Sequence, residues 1–166
     1  KGEAEMSTDV MVDAQVHMRW IIRRDMQEVM RIERECFEFS WSEEDWHRCL
    51  IQRNCIGMVA EVAECVVGAM LYELQPKALH ILNFAVRPDC QRRGIGTVMV
   101  NKLKSKLSYE RRKRITLDIR ETNSVAHKFF SAQRFRAIKV QRDFYPQHTG
   151  EDAYLFQYRL PVCEGK

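Results

Sequence analysis

The chain has no run approaching the roughly 18 consecutive apolar residues that a membrane-spanning helix needs, so a helical membrane protein is not expected. Its start, Lys1 to His17, lacks the apolar centre of a secretory signal and reads as a flexible lead, with Met18 as a candidate native start. Six cysteines are present, but no C-x-x-C pair and no metal-ligand spacing. The thiols therefore fit a reduced, cytoplasmic compartment, and no metal is expected. There is no Gly-Lys-Ser/Thr, which excludes the lysine-terminated phosphate loop. There is no repeat, low-complexity tract or linker, so 166 residues suit one domain, taken as 18–160 with a tail over 161–166. With 45% hydrophobic and 30% charged residues, the composition is that of a soluble globular protein.

The most informative segment is residues 81–107. An apolar strand, Ile81-Leu-Asn83-Phe84-Ala85-Val86, meets Pro88 and a polar turn, and Gly94 and Gly96 then sit where a helix begins. A helix N-terminus has unpaired N–H groups and partial positive charge. Glycine lets an anion reach that backbone without a side chain in the way. The dinucleotide fingerprint does not fit, because Met99 stands where its third small residue belongs. What remains is Gln91-Arg92-Arg93-Gly94-Ile95-Gly96, a glycine-bearing turn at a helix start that suits an anion.

Ten basic side chains lie between Arg87 and Arg114, opposed only by Asp89 and Glu110, a balance that suits a polyanion. Lys102, Lys104 and Lys106 read as a solvated helix face, and no aromatic interleaving supports nucleic acid. Cys90 adjoins the loop, but no partner histidine near it in sequence makes it a nucleophile.

Periodicity orders the rest. His17 to Arg24 reads as a strand. Asp25 caps a helix with Met26, Val29, Met30 and Phe37 on one stripe and Glu33 as its polar exception. Ser42 opens a second helix with Asp45 as an imperfect capping box. Strands follow over 54–63, 65–74 and 79–87, then a helix with Ile95, Val98, Met99, Leu103 and Leu107 on one face. Residues 114–121 read as a strand, 123–133 as a helix and 135–142 as a strand. A loop over 145–152 leads to a last strand over 153–160. The order β-α-α-β-β-β-α-β-α-β-β implies an α/β sandwich.

That order and the loop resemble the GNAT acetyltransferase superfamily, whose Q/R-x-x-G-x-G/A loop holds the pyrophosphate of acetyl-coenzyme A. The resemblance extends to Phe39-Ser40-Trp41-Ser42, to Leu82-Asn83-Phe84-Ala85-Val86, to Leu117-Asp118-Ile119-Arg120-Glu121-Thr122-Asn123, and to Phe144-Tyr145-Pro146 with Gly150-Glu151-Asp152-Ala153. Together these are similar to the RimI branch, which acetylates the N-terminal alanine of a ribosomal protein. The resemblance implies a mostly antiparallel mixed sheet with helices on both faces. It implies acetyl-coenzyme A as cofactor, held by Phe84, Ala85, Val86, the six loop residues, Asn123 and Phe130. It implies a protein or peptide N-terminus as partner, met by Phe39, Trp41, Phe144 and Tyr145. A small-amine or lysine acetyltransferase, or a non-catalytic acyl-coenzyme A binder, is the alternative.

Three departures stand out. The family's catalytic glutamate falls at Asp118. Its tyrosine, the usual proton donor to the leaving thiolate, falls at Phe130. Its L-G-F after the last helix reads Gln133-Arg134-Phe135, with no glycine for a left-handed cap. Asp118 is the expected base. His80, near the start of the strand before the loop, is a second candidate, since an imidazole pKa near 6.5 suits neutral pH. Asn123 serves equally well as a helix cap or a coenzyme contact.

Overall fold

Among the described residues, seven strands and four helices follow one another as the sequence periods require. The computed structural model describes residues 15–146 and 150–163. The remaining positions of the expected lead, of the 145–152 loop and of the tail lie outside those residues. The strands are β1 (His17–Trp20), β2 (Cys55–Val62), β3 (Cys65–Leu74), β4 (Ala78–Val86), β5 (Arg114–Arg120), β6 (Arg136–Tyr145) and β7 (Glu151–Arg159). The helices are α1 (Met26–Cys36), α2 (Glu43–Leu50), α3 (Ile95–Lys104) and α4 (Ser124–Ala132). The sheet order is β1-β2-β3-β4-β5-β7-β6. It is mostly antiparallel, with β4 and β5 parallel. Two compact units share β4: Asn83–Lys102 belongs with the N-terminal elements, and Tyr72–Leu82 with the C-terminal ones.

In the first unit β1 is shorter than expected. Arg23–Asp25 form a 3-10 turn, and the buried Asp25 carboxylate accepts from Ile22 N at 2.8 Å and from both terminal nitrogens of Arg19. That anchor turns the chain into α1, which buries Val29, Met30, Ile32 and also Glu33. The capping box of α2 is complete despite its aspartate: Asp45 N donates to Ser42 Oγ at 3.1 Å, and Ser42 N donates back to Asp45 Oδ2 at 2.9 Å. The β2–β3 turn places Ala63 and Glu64 at φ 48° and 66°, the paired left-handed residues of a tight hairpin. A Cβ on Gly68 would stand 2.9 Å from Met99 Sδ and 3.1 Å from Ala85 O. The absence of a side chain there lets α3 close on β3 beside β4.

In the second unit Ile115, Leu117 and Ile119 point to the core while their neighbours do not, the period-2 alternation of a strand. Helix α3 stops at Lys104, short of Leu107, because Lys106 N and Leu107 N turn back to Leu103 O and Lys104 O. Lys104 is not solvated as expected. Its Nζ donates to Gln133 O at 2.8 Å and lies 4.3 Å from the centre of the Tyr158 ring. Burial lowers its pKa. Strand β6 runs past Arg142 to Tyr145, which pairs with Glu151, so the expected loop contracts and β7 begins two residues early. Bulges with Asp143 at φ 48° make that extension possible.

Candidate functional site

The glycine loop grows out of β4 through a 3-10 turn, Pro88–Cys90, in which Cys90 N donates to Arg87 O at 2.8 Å. Val86 O accepts from Cys36 Sγ at 3.2 Å and from Gln91 Nε2 at 2.9 Å. Both lone pairs of that carbonyl are thereby used, so Gln91 braces the loop onto β4. Arg92 and Gly94 take φ 60° and 84°, with Arg93 between them outside the positive-φ region. Such alternation turns successive N–H groups toward one concavity, an anion-binding nest. Helix α3 then starts with Val98 N donating to Gly94 O at 3.1 Å. The N–H groups of Ile95, Gly96 and Thr97 precede the first intrahelical bond, and no acidic side chain lies in that turn. A Cβ on Gly94 would meet nothing within 4 Å. Open space, a positive helix end and flanking arginines fit a pyrophosphate.

Cys90 is buried, and burial raises its thiol pKa. It is a small core residue rather than a thiolate nucleophile.

On the second unit, the parallel register sets His80 opposite Thr116 and ends at Ile81 opposite Leu117, while β4 runs on to Val86. His80 Nδ1 is 2.7 Å from Thr116 Oγ1, and His80 Nε2 faces Asp118 Oδ2 at 3.4 Å. The other Asp118 oxygen accepts from Gln141 Nε2. Both expected bases therefore meet, each nearly buried, with side-chain exposures of 16% and 19%. Thr116 went unremarked in the sequence, although it lies two residues before Asp118 on the same strand face. Gln141 carried no sequence signal, because β7 lies between β5 and β6 and only the folded register brings Gln141 near. Tyr145 packs over the Arg120 guanidinium at 4.1 Å from its ring centre, and burial pushes its phenol pKa up, with the Asp118 charge acting the same way. Phe144 stacks edge-on against it at 4.8 Å and stays exposed.

Asn123 caps α4, its Oδ1 accepting from Ala126 N at 3.1 Å. Phe130, expected beside the coenzyme, is 4% exposed, with its ring 5.2 Å from Phe135. Phe135 N donates to Phe130 O, Arg134 N donates to Ser131 O, and Arg134 adopts φ 68°. These are the bonds and the apolar contact of a Schellman motif, built with arginine where glycine is the usual residue.

In the first unit Trp41 stands 6.2 Å from Trp46, ring to ring. It borders a groove of about 770 Å³ that Arg23, Arg24, Arg34, Met30 and Glu43 also line. Phe39 is exposed. The functional reading of the sequence passed over Glu33 and Asn83, which join beneath this loop, although Glu33 was visible as a charge on an apolar stripe.

Among the described residues no helix is long and apolar enough to cross a membrane, and no cluster fits a metal ion. The acetyltransferase (GNAT) family profile matches residues 26–135. An N-acetyltransferase of Methanocaldococcus jannaschii is 29% identical over 147 residues, 86% of this chain and 90% of its own length. The [ribosomal protein bS18]-alanine N-acetyltransferase of Escherichia coli is 25% identical over 139 residues, covering 83% and 92%. The crystal structure of the Escherichia coli ribosomal-protein-S18-alanine N-acetyltransferase superposes with a TM-score of 0.78 at 20% identity, covering 91% of this chain and 98% of that one.

Proposed function

The chain belongs to the GNAT acetyltransferase family, and from that premise we propose that it acetylates the α-amine of a protein or peptide N-terminus, with acetyl-coenzyme A as donor. The observation that carries this reading is the His80–Asp118 pair, 3.4 Å apart, with Thr116 fixing the far side of the imidazole. When bound, acetyl-coenzyme A supplies the thioester carbonyl that the amine attacks and the thiolate that leaves. The loop over 91–96 binds its pyrophosphate, and Phe84, Ala85 and Val86 flank its pantetheine arm. The amine proton passes to the Thr116 hydroxyl as that hydroxyl gives its own proton to His80 Nδ1, and Asp118, facing Nε2, stabilises the imidazolium that results, as a carboxylate beside a histidine does. An α-amine, with pKa about 8, is neutral in roughly a tenth of molecules at pH 7. A lysine amine, near 10.4, is neutral in about one in two thousand. A base of modest strength therefore suits an N-terminus better. The amine attacks directly, so no protein nucleophile is required. Phe130 has no proton to give, and a thiol pKa near 8.5 makes the thiolate a fair leaving group unaided.

Trp41 and Tyr145 are assigned to the acceptor peptide, Tyr145 offering its hydroxyl while its ring packs. Likeness to the bS18-alanine acetyltransferases supports a ribosomal-protein N-terminus as one acceptor. The test is turnover of acetyl-coenzyme A over peptides varied in their first residues, with an N-blocked lysine peptide and polyamines as controls. Turnover confined to the controls would overturn the reading.

A further inference from the structure

Glu33 is a carboxyl on the buried stripe of α1, 1% exposed, and its two oxygens are treated unequally. Oε1 accepts three hydrogen bonds: from Asn83 Nδ2 at 2.5 Å, from Trp46 Nε1 at 3.3 Å and from Trp41 N at 3.4 Å. Oε2 is buried and, among the described residues, has no hydrogen-bond partner. The same holds for Asn83 Oδ1. Two acceptors are thus left over, one on each partner of a single contact. Turning the Asn83 amide over does not help, since it would set Oδ1 against Glu33 Oε1. An ionised carboxylate has no donor to offer, whereas a protonated one carries a single O–H. Such a proton is the donor that both orphaned acceptors lack, and shared between them it would complete the two parallel hydrogen bonds of an acid–amide pair. Burial of an unpaired charge is costly, and desolvation drives this carboxyl toward its neutral form. The Asp45 charge acts in the same direction, against the hydrogen bonds from Asn83, Trp46 and Trp41.

We propose that Glu33 is a neutral carboxylic acid whose Oε2–H donates to Asn83 Oδ1, and that this closed pair positions the Trp41 loop and strand β4 for acetyl transfer. The positioning part rests on the assignment of Trp41 to the acceptor and of Phe84 to Val86 to the coenzyme; the proton itself does not. Glu33 is a positioning residue. It reaches the acceptor through the Trp41 backbone and the coenzyme through Asn83, the residue just before Phe84.

Glutamine is the diagnostic substitution, because its amide N–H takes the place of the acid O–H and its carbonyl takes the place of Oε1. Infrared difference spectra of wild type and Glu33→Gln at neutral pH should show a protonated-carboxyl C=O band that the variant lacks. Glu33→Gln should keep kcat/KM for both substrates near the parent value. Glu33→Leu fills the space but leaves Asn83 and Trp41 N without partners, and should raise KM for peptide and coenzyme together, lowering kcat/KM by about 10- to 100-fold. Absence of the band, or a glutamine variant as impaired as the leucine one, overturns the proposal. The band and the glutamine variant decide even where the leucine variant does not fold. A protein that acetylates no peptide yet shows the band refutes the acceptor reading and leaves the protonated pair standing.

Discussion

His80 and Asp118 lie 38 positions apart in the chain and face each other only because β4 and β5 run parallel with His80 opposite Thr116. Each residue was a candidate base on sequence grounds; their proximity was not readable, since a parallel register is set by packing and not by local pattern. His80→Ala and Asp118→Asn should each lower kcat/KM at pH 7 by one to two decades, about 1.4–2.8 kcal/mol of transition-state stabilisation. The loss should shrink as pH rises and the acceptor amine deprotonates itself. Because the two act as a unit, the double variant should be little worse than the worse single. Peptide kinetics across pH 6–9 check this, and fully multiplicative losses would count against it. Asp25 carries a different residue-scale expectation. Its Arg19 partner and the Ile22 N–H hold the native carboxyl below its ordinary range. The resulting stability is present above the unfolded value near 3.9 and is lost as pH falls through the native one. Asp25→Asn should destabilise by about 2–3 kcal/mol at neutral pH, and the gap from wild type should close in acid. Urea midpoints at the two pH values measure it.

Among the elements, starts were more legible than ends. Ser42 announced α2 and Asn123 announced α4, because an N-cap is a single side chain bonding to a backbone N–H a few residues away. Ends depend on backbone turns that several sequences can adopt. Helix α3 stops at Lys104 though its apolar period continues to Leu107, and the missing glycine after α4 did not prevent a left-handed cap. Arg134 sits there at φ 68° because the Phe130–Phe135 contact and two backbone bonds hold it. That conformation costs an L-residue about 1–2 kcal/mol. Arg134→Gly should therefore raise stability by about 1 kcal/mol. It also removes a positive charge whose repulsion lowers the Lys104 pKa. A thermal midpoint equal to or below that of the parent would show that the arginine makes a compensating contact.

For the whole molecule, the element order followed from hydrophobic period and turn residues, while the sheet order did not. Chain neighbours β5 and β6 are separated by β7. Gln141 stands opposite Ala153 on β7, and its amide reaches across that strand to Asp118. The glycine loop was legible because it is local: nearly all of its geometry lies within six residues. Calorimetry should give a 1:1 complex with acetyl-coenzyme A, and Gly96→Glu should abolish it by adding bulk and negative charge at the phosphates. No heat with the wild type at millimolar ligand would remove the coenzyme assignment. Charge also bears on the proposed acceptor groove. Arg23, Arg24 and Arg34 against Glu43 leave the Trp41 groove net positive. Peptides with acidic residues after the first should therefore have lower KM than basic ones, the difference fading with added salt. A salt-independent KM, or a preference for basic peptides, would show that the groove does not contact the acceptor.

The position of β7 also bears on the order in which the protein is made. Among the described strands it is the last to leave the ribosome, yet it pairs on both sides, with β5 through seven residue pairs and with β6 through a bulged hairpin. A nascent chain ending after β6 would leave the Asp118 strand with an open hydrogen-bonding edge, the feature that templates strand-to-strand aggregation. Gln141 would have no neighbouring strand to carry it toward Asp118. The carboxylate and its amide partner come together only after translation has passed Arg159.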